Sequence, residues 1–239
     1  DRSPSRGLGD VYKRQVSLYK KMGGRRMKLL LENWRKYLLI EAAMTVDDLM
    51  NFVDEEFGED LKIYIRVRNN NEGGTDITYA SIDVDGEIYD FGYNDAVMGK
   101  VEIVPASYGE EEGLGPCDGA YQVKWAMATE GWGPLLYDAA IEYATKHGNG
   151  LISDREMISD EARAVWDYYL NKRKDVDNHQ LDDLHNTLTP KIEVDNCDQY
   201  VASVGGKYDW EENSLSKRYT KAPTTITELE KIGRFIDET

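Results

Sequence analysis

Leu29, Leu30, Trp34, Tyr37 and Leu38 recur at spacings of three and four, which predicts an amphipathic helix over 28–39. Thr45 then stands as the cap of a second helix, with Asp48 at its third position and Gly58 as its stop. The period changes to two at Leu61, Ile63, Ile65 and Val67, which alternate with Lys62, Tyr64, Arg66 and Arg68 and predict a half-buried strand. Asn70-Asn71-Glu72-Gly73-Gly74 turns the chain into a strand over 77–84, and Asp85-Gly86 predicts a two-residue hairpin into 87–91. Further strands are expected at 100–105 and 120–128, separated by an acidic, glycine-containing loop over 109–119.

Pro134 suits the first turn of a helix, where its missing N–H costs nothing. Leu135, Leu136, Ala139, Ala140, Tyr143 and Ala144 carry the helical period to a stop at Gly148. Residues 150–153 read as a short buried strand and Ser159 as the cap of the next helix, whose inner face is Ala162, Val165, Trp166, Tyr169 and Leu170. Strand, helix, strand, helix in this order implies adjacent parallel strands joined by a helix. Beyond Asn171 the pattern fades, and we expect a helix over 180–188, a polar loop over 189–213 and a short helix over 227–235. The expected fold class is α/β (α+β). It is a mixed, largely antiparallel sheet around a central parallel strand–helix–strand unit, with helices before it and an irregular extension after it.

With 239 residues, 41% of them apolar, the chain supports one substantial core. No apolar run approaches the roughly 20 residues of a membrane span, so we expect no membrane partner and a cytoplasmic location. Cys117 and Cys197 are far apart, and His147, His179 and His185 show no ligand spacing. Two free thiols in a reducing compartment and no metal are therefore expected. Residues 1–15, DRSPSRGLGDVYKRQ, look like a translated sequencing-adaptor fragment, while Met27 opens a natural-looking start. Residues 1–26 are thus read as a non-native leader, followed by a helical arm over 27–60, a central domain over 61–175 and a C-terminal extension over 176–239. The leader holds eight Lys/Arg against two Asp/Glu, so the formal charge moves from −16 to −22 without it. A polyanion of that size repels nucleic acid, and no nucleic-acid partner is expected.

Candidate chemistry concentrates in Thr129-Glu130-Gly131-Trp132-Gly133-Pro134, between a strand and a helix start. Two glycines let backbone approach a ligand closely, and the helix start offers unpaired N–H groups with partial positive charge. That combination binds phosphate oxygens without basic side chains, although a Gly-x-Gly also occurs as a plain tight turn. The run GWGPLLYDAAIEYATKHGNGLISDREMISDEARAVWDYY resembles the central motif of the GNAT-type N-acetyltransferases over about fifty residues. Gly131 and Gly133 match its glycine positions, and Leu135 and Leu136 its following helix. Ser159-Asp160-Glu161-Ala162 falls where the family carries Asn-x-x-Ala. Leu151–Arg155 and Ser216–Tyr219 are also similar to GNAT-like proteins encoded by phages.

The resemblance implies a GNAT-like sheet in which loop amides hold the pyrophosphate of acetyl-CoA, the co-substrate. The strand before the loop then splays from the next one to admit pantetheine. It points to Gly131, Trp132, Gly133, Leu135, Ala128, Met127 and Arg155 as cofactor-binding positions. Arg155 has the alternative of pairing with Asp154 or Glu156. Lys146, Lys172, Arg173 and Lys174 are candidates for the 3′-phosphate, or ordinary surface charge. Acyl transfer needs an acid for the leaving thiolate, and Tyr169 then Tyr168 are the candidates. Asp154 and Glu130, at strand ends, are candidate bases, and either also suits a cap or a solvated charge.

Cys117 lacks a neighbouring histidine to activate it. The chain departs from the family at Ala128, where a Gln or Arg is usual, at Trp166, where the family's tyrosine stands, and in the hairpin at 69–75, where two helices are usual. The implied activity is acetyl transfer to a small-molecule amine or a lysine-bearing protein. The alternative is a catalytically inactive GNAT-like binding or assembly protein of phage type.

Overall fold

The computed structural model describes residues 46, 62–83, 85–91, 99–106, 113–128, 132–204 and 210–239. Of the two helices expected before residue 60, only Val46 falls within these, and it is helical and buried. The rest of the leader and helical arm lies outside the described residues.

The predicted alternation forms β1 (Ile63–Asn69), whose Ile63, Ile65 and Val67 are fully buried. The Asn70–Gly74 turn leads to β2 (Thr75–Ile82), antiparallel to β1 with Asn69 opposite Thr75. Asn70 closes this turn, its side-chain oxygen accepting from the N–H groups of Glu72 and Gly74. The next hairpin is wider than the two-residue turn expected. β3 (Ile88–Phe91) pairs with β2 from Ile88 opposite Ile82, and Asp83 accepts from the N–H groups of Asp85 and Glu87 across the loop. The Asp83 carboxylate satisfies donors that a tighter turn would have paired through backbone. β4 (Gly99–Pro105) and β5 (Tyr121–Ala128) continue the sheet antiparallel.

From β5 the chain enters α1 (Gly133–His147), stopped at Gly148 as the sequence predicted. It returns through β6 (Leu151–Ile152), parallel to β5, with Tyr121 opposite Leu151 and Gln122 opposite Ile152. Gly150 has φ +119 and lies against Tyr219, whose carbonyl oxygen would sit 2.4 Å from a Cβ there, so any side chain is excluded. α2 (Asp160–Lys172) starts on Ser159, whose hydroxyl accepts from the Ala162 N–H.

The C-terminal residues correct the sequence reading. The expected irregular extension supplies β7 (Val176–Gln180), β8 (Lys217–Lys221) and β9 (Phe235–Glu238) to the same sheet. Residues 181–188 are not helical, and the terminal helix is Thr224–Lys231, with the short α3 (Tyr200–Ser203) before it; we label the terminal helix α4. The strand order is β7-β8-β6-β5-β4-β2-β1-β9, with β3 on β2. Only β5/β6 and β1/β9 are parallel among the described pairs, so the sheet is mixed and largely antiparallel around a parallel β5–α1–β6 unit.

One sheet face packs on α1 through Ile77, Tyr79, Val101 and Ile103. The other bears a ladder of ion pairs crossing from β1 to β5: Arg66–Asp90, Arg68–Asp76, Lys100–Asp76, Lys100–Glu102 and Lys124–Glu102. α1 carries two buried acids, each with its own cation. Asp138 receives both guanidinium N–H arms of Arg173 at 2.9 Å. Glu142 pairs with Lys221 and accepts from the N–H groups of Thr225 and Ile226, so it caps α4 from another helix.

The free-thiol expectation is overturned. Cys117 and Cys197 form a disulfide, their Cα atoms 4.5 Å apart, buried with Ala106, Ala120, Ile152 and Leu181. The loop carrying Cys197 is folded over Asp182, whose carboxylate accepts from the N–H groups of Thr187, Leu188 and Thr189. Sequence distance hides the pairing, because the chain returns to Cys117 only after β7. No helix among the described residues is long and apolar enough to cross a membrane.

Candidate active site

β5 and β6 are hydrogen-bonded at two residue pairs and then part. Beyond Gln122, β5 runs six more residues, about 20 Å at the strand rise of 3.3–3.4 Å, with no strand on its β6 side among the described residues. A register shift in the β4 pairing, with Glu102 opposite Trp125 but Ile103 opposite Val123, makes Lys124 a bulge residue at that divergence. A bulge bends and twists its strand, and the pairing of β5 with β6 ends just before it, at Gln122. Residues 124–128 are exposed as a result, including Trp125 and Met127. The slot is this unpaired stretch of β5, at the carboxyl ends of the parallel strands that lead into α1 and α2.

The amino end of α1 borders this slot. Trp132 is its N-cap residue in a helical conformation, with no side-chain cap, so the first-turn N–H groups of Gly133 and Leu135 receive no side-chain acceptor from the described residues. The Trp132 ring does not face a ligand. It is buried edge-on against Tyr79 at 5.2 Å, and the Tyr79 hydroxyl donates to the Trp132 carbonyl at 2.6 Å. Trp132 thus ties the helix start to β2. Burial, with the Asp138 charge second, raises Tyr79 well above the usual phenol range, so this donor stays protonated. Ala128 ends β5 beside Gly99, and a Cβ on Gly133 would meet the Ala128 methyl at an ordinary 3.7 Å. Leu135 is buried. Glu130 and Gly131 lie outside the described residues.

The expected acid is committed elsewhere. Tyr169 shares the inner face of α2 with Trp166, as periodicity predicts, but its hydroxyl donates to Asp138 at 2.6 Å in the buried Arg173–Asp138 pair. Burial, then the Asp138 charge, pushes Tyr169 far above the ordinary phenol value. Tyr168 is half-buried, and burial raises its hydroxyl above the ordinary phenol value. Arg155 does not present a free guanidinium. It is 2% exposed and donates to the carbonyls of Ser153, Asp198 and Leu215 and to the Ser153 hydroxyl, joining three segments. Burial lowers it to about 10. Arg173 is equally occupied by Asp138 and Asp175, and Lys146 stands in the last turn of α1, at the far end from the slot.

Asp154, just after β6, is in the right region. Its Oδ1 accepts from the N–H groups of Glu156 at 2.7 Å and Met157 at 3.3 Å, and burial raises its carboxyl above the ordinary value. Sequence reasoning missed Tyr137, Asp138 and Glu142. The signal was present, because two acids four apart in an apolar helical run (Leu135–Ala144) require buried cationic partners. No family model matches the chain, and no match was found among curated proteins or solved structures.

Proposed function

We propose that this chain is an acyl-CoA-dependent N-acetyltransferase of GNAT type, using acetyl-CoA as co-substrate and a primary amine as acceptor. The observation that carries the reading is the stretch of β5 beyond its two pairs with β6, leading to a start of α1 that has no side-chain cap among the described residues. An extended, amide-bearing pantetheine chain fits alongside a strand with free backbone groups, and its diphosphate meets helix N–H donors at one end. With alanine at position 128, the diphosphate depends on backbone donors alone, which suits a chain of net charge −16. The acceptor is a small-molecule amine or a lysine-bearing protein, since an acidic protein attracts cations.

A second reading is a GNAT-like binding or assembly protein without catalysis. It is favoured by the commitment of Tyr169 and Arg155 to internal hydrogen bonds.

Calorimetry with acetyl-CoA tests the ligand site. The unaltered protein should bind it, and Gly133→Ala should bind it at least tenfold more weakly while melting normally, because the fold has room for that methyl. Absence of binding at millimolar acetyl-CoA sinks the ligand site. Binding without thiol release in the presence of amines selects the non-catalytic reading.

A further inference from the structure

The peptide N–H groups in the first turn of α1 are those of Gly133 and Leu135, because Pro134 between them has none. Each belongs to a planar peptide that begins at the carbonyl of the preceding residue, Trp132 or Pro134. Both carbonyls meet a tyrosine hydroxyl. Tyr79, fully buried on β2, donates to the Trp132 carbonyl at 2.6 Å. The Tyr169 hydroxyl, from α2, stands 3.3 Å from the Pro134 carbonyl, while its shorter contact is to Asp138 at 2.6 Å. An O–H···O bond is strong near 2.7 Å and weak beyond 3 Å, so Tyr79 has the firmer hold.

A trans peptide sets its N–H antiparallel to its C=O, so whatever holds the Trp132 carbonyl also aims the Gly133 N–H. Tyr79 holds Trp132 at two points, with its hydroxyl on the carbonyl and its ring edge-on to the indole at 5.2 Å. Its own strand is anchored on both sides. β2 lies between β1 and β4, and Tyr79 stands opposite Ile65 of β1 and Phe91 of β3. A donor fixed to such a strand is placed more precisely than one carried on a loop. An N-cap carbonyl also accepts the first bond of its own helix. With both lone pairs engaged, the peptide is polarised and its N–H becomes a stronger donor. Phenylalanine would fill the core here without burying a hydroxyl, yet the chain carries tyrosine and directs that hydroxyl at the helix start.

We propose that Tyr79 is a positioning residue of the acetyl-CoA site, holding the Trp132–Gly133 peptide so that the Gly133 N–H meets the cofactor diphosphate. This role rests on the acetyltransferase reading for the identity of the ligand, and Tyr79 itself touches neither cofactor nor acceptor. Its effect falls on the diphosphate and not on the pantetheine arm alongside β5.

Tyr79→Phe keeps the ring and removes only the hydroxyl. Tyr219→Phe makes the same change where the buried hydroxyl serves the Ser214 carbonyl instead. The full chain and both variants are titrated by calorimetry with acetyl-CoA, inorganic pyrophosphate and acetyl-pantetheine, which lacks the diphosphate. Tyr79→Phe should weaken acetyl-CoA and pyrophosphate about fivefold, the scale of one hydrogen bond, and leave acetyl-pantetheine unchanged. Tyr219→Phe should leave all three unchanged. Equal weakening of acetyl-pantetheine, or an equal effect of Tyr219→Phe, reduces Tyr79 to core packing and overturns the role. Unchanged affinities in Tyr79→Phe overturn it too.

In the unaltered protein, pyrophosphate should move the Gly133 amide resonance, and binding that leaves it in place overturns the role without any variant. If pyrophosphate binds and acetyl-CoA does not, the acetyltransferase reading fails and pyrophosphate affinity alone decides on Tyr79. Binding of neither overturns both.

Discussion

Opening the Cys117–Cys197 bond is the perturbation with the largest expected effect on this fold. The two residues are 80 positions apart, and the closed segment contains β5, α1, β6, α2 and β7, the whole candidate site. In the chain-entropy description, a cross-link over that separation removes about 4.5 kcal/mol of unfolded-state freedom at 25 °C. Natural domains hold only about 5–15 kcal/mol in total, so reduction should take away a large fraction of the stability. Urea titrations monitored by tryptophan fluorescence, with and without a phosphine reductant, measure the difference. A Cys117→Ala/Cys197→Ala variant controls for effects of the reductant. Both sulfurs are fully buried, so alkylation should require denaturation, and the mass of the denatured protein should rise by two alkyl groups only after reduction. A stability difference below about 1 kcal/mol would refute the entropic argument. Two adducts on air-handled, unreduced protein would refute the bond itself.

Other perturbations have defined outcomes. Lys221→Met should cost about 3–5 kcal/mol in chemical denaturation by leaving Glu142 buried without its cation. Adding Glu142→Gln should recover part of the loss, and equal losses in the single and double variants would contradict the pairing. Gly150→Ala forces a Cβ to 2.4 Å from the Tyr219 carbonyl at φ +119, so it should fail to give a soluble fold or melt far lower, and normal melting would show the β6–β8 contact to be loose. Asp154 holds its proton more tightly folded than unfolded, so its contribution is intact below about pH 4 and is lost as the pH rises through its raised folded value. The melting temperature of Asp154→Asn relative to the unaltered protein should therefore be higher at pH 7 than at pH 3.5, and a pH-independent difference would deny the burial cost.

Much of the layout was legible because burial wrote it into residue order. The alternation of Ile63, Ile65 and Val67 fixes β1, and the Leu135–Ala144 stripe with its flanking Pro134 and Gly148 fixes α1. Strands of the C-terminal third were not legible. β7 is an edge strand reading Val-Asp-Asn-His-Gln, exposed along its middle, so it has no apolar face to announce it. β8 reads Lys-Arg-Tyr-Thr-Lys and buries both lysines. Lys221 is accepted there because Glu142 lies on α1, and Lys217 because Gln180 and the Glu211 carbonyl receive its protons.

At the candidate site, Gly133 in the first turn of α1 and Asp154 after β6 were visible from sequence, while Glu130 and Gly131 lie outside the described residues. The choice among tyrosines was not, because each hydroxyl's partner comes from a different element. Tyr169 looked suitable on helical spacing until Asp138, one helix away, was seen to hold it.

The pairing of β9 with β1 has a consequence for synthesis. Arg66 and Glu238, which bond across these parallel strands, are 172 residues apart. At about 5–20 residues per second, on the order of 10–30 s separates their emergence from the ribosome. Through that interval the outer edge of β1 offers unpaired N–H and C=O groups to any other nascent chain. Arg66 and Arg68, interleaved with its isoleucines, put positive charge along that edge and discourage a second copy from docking there.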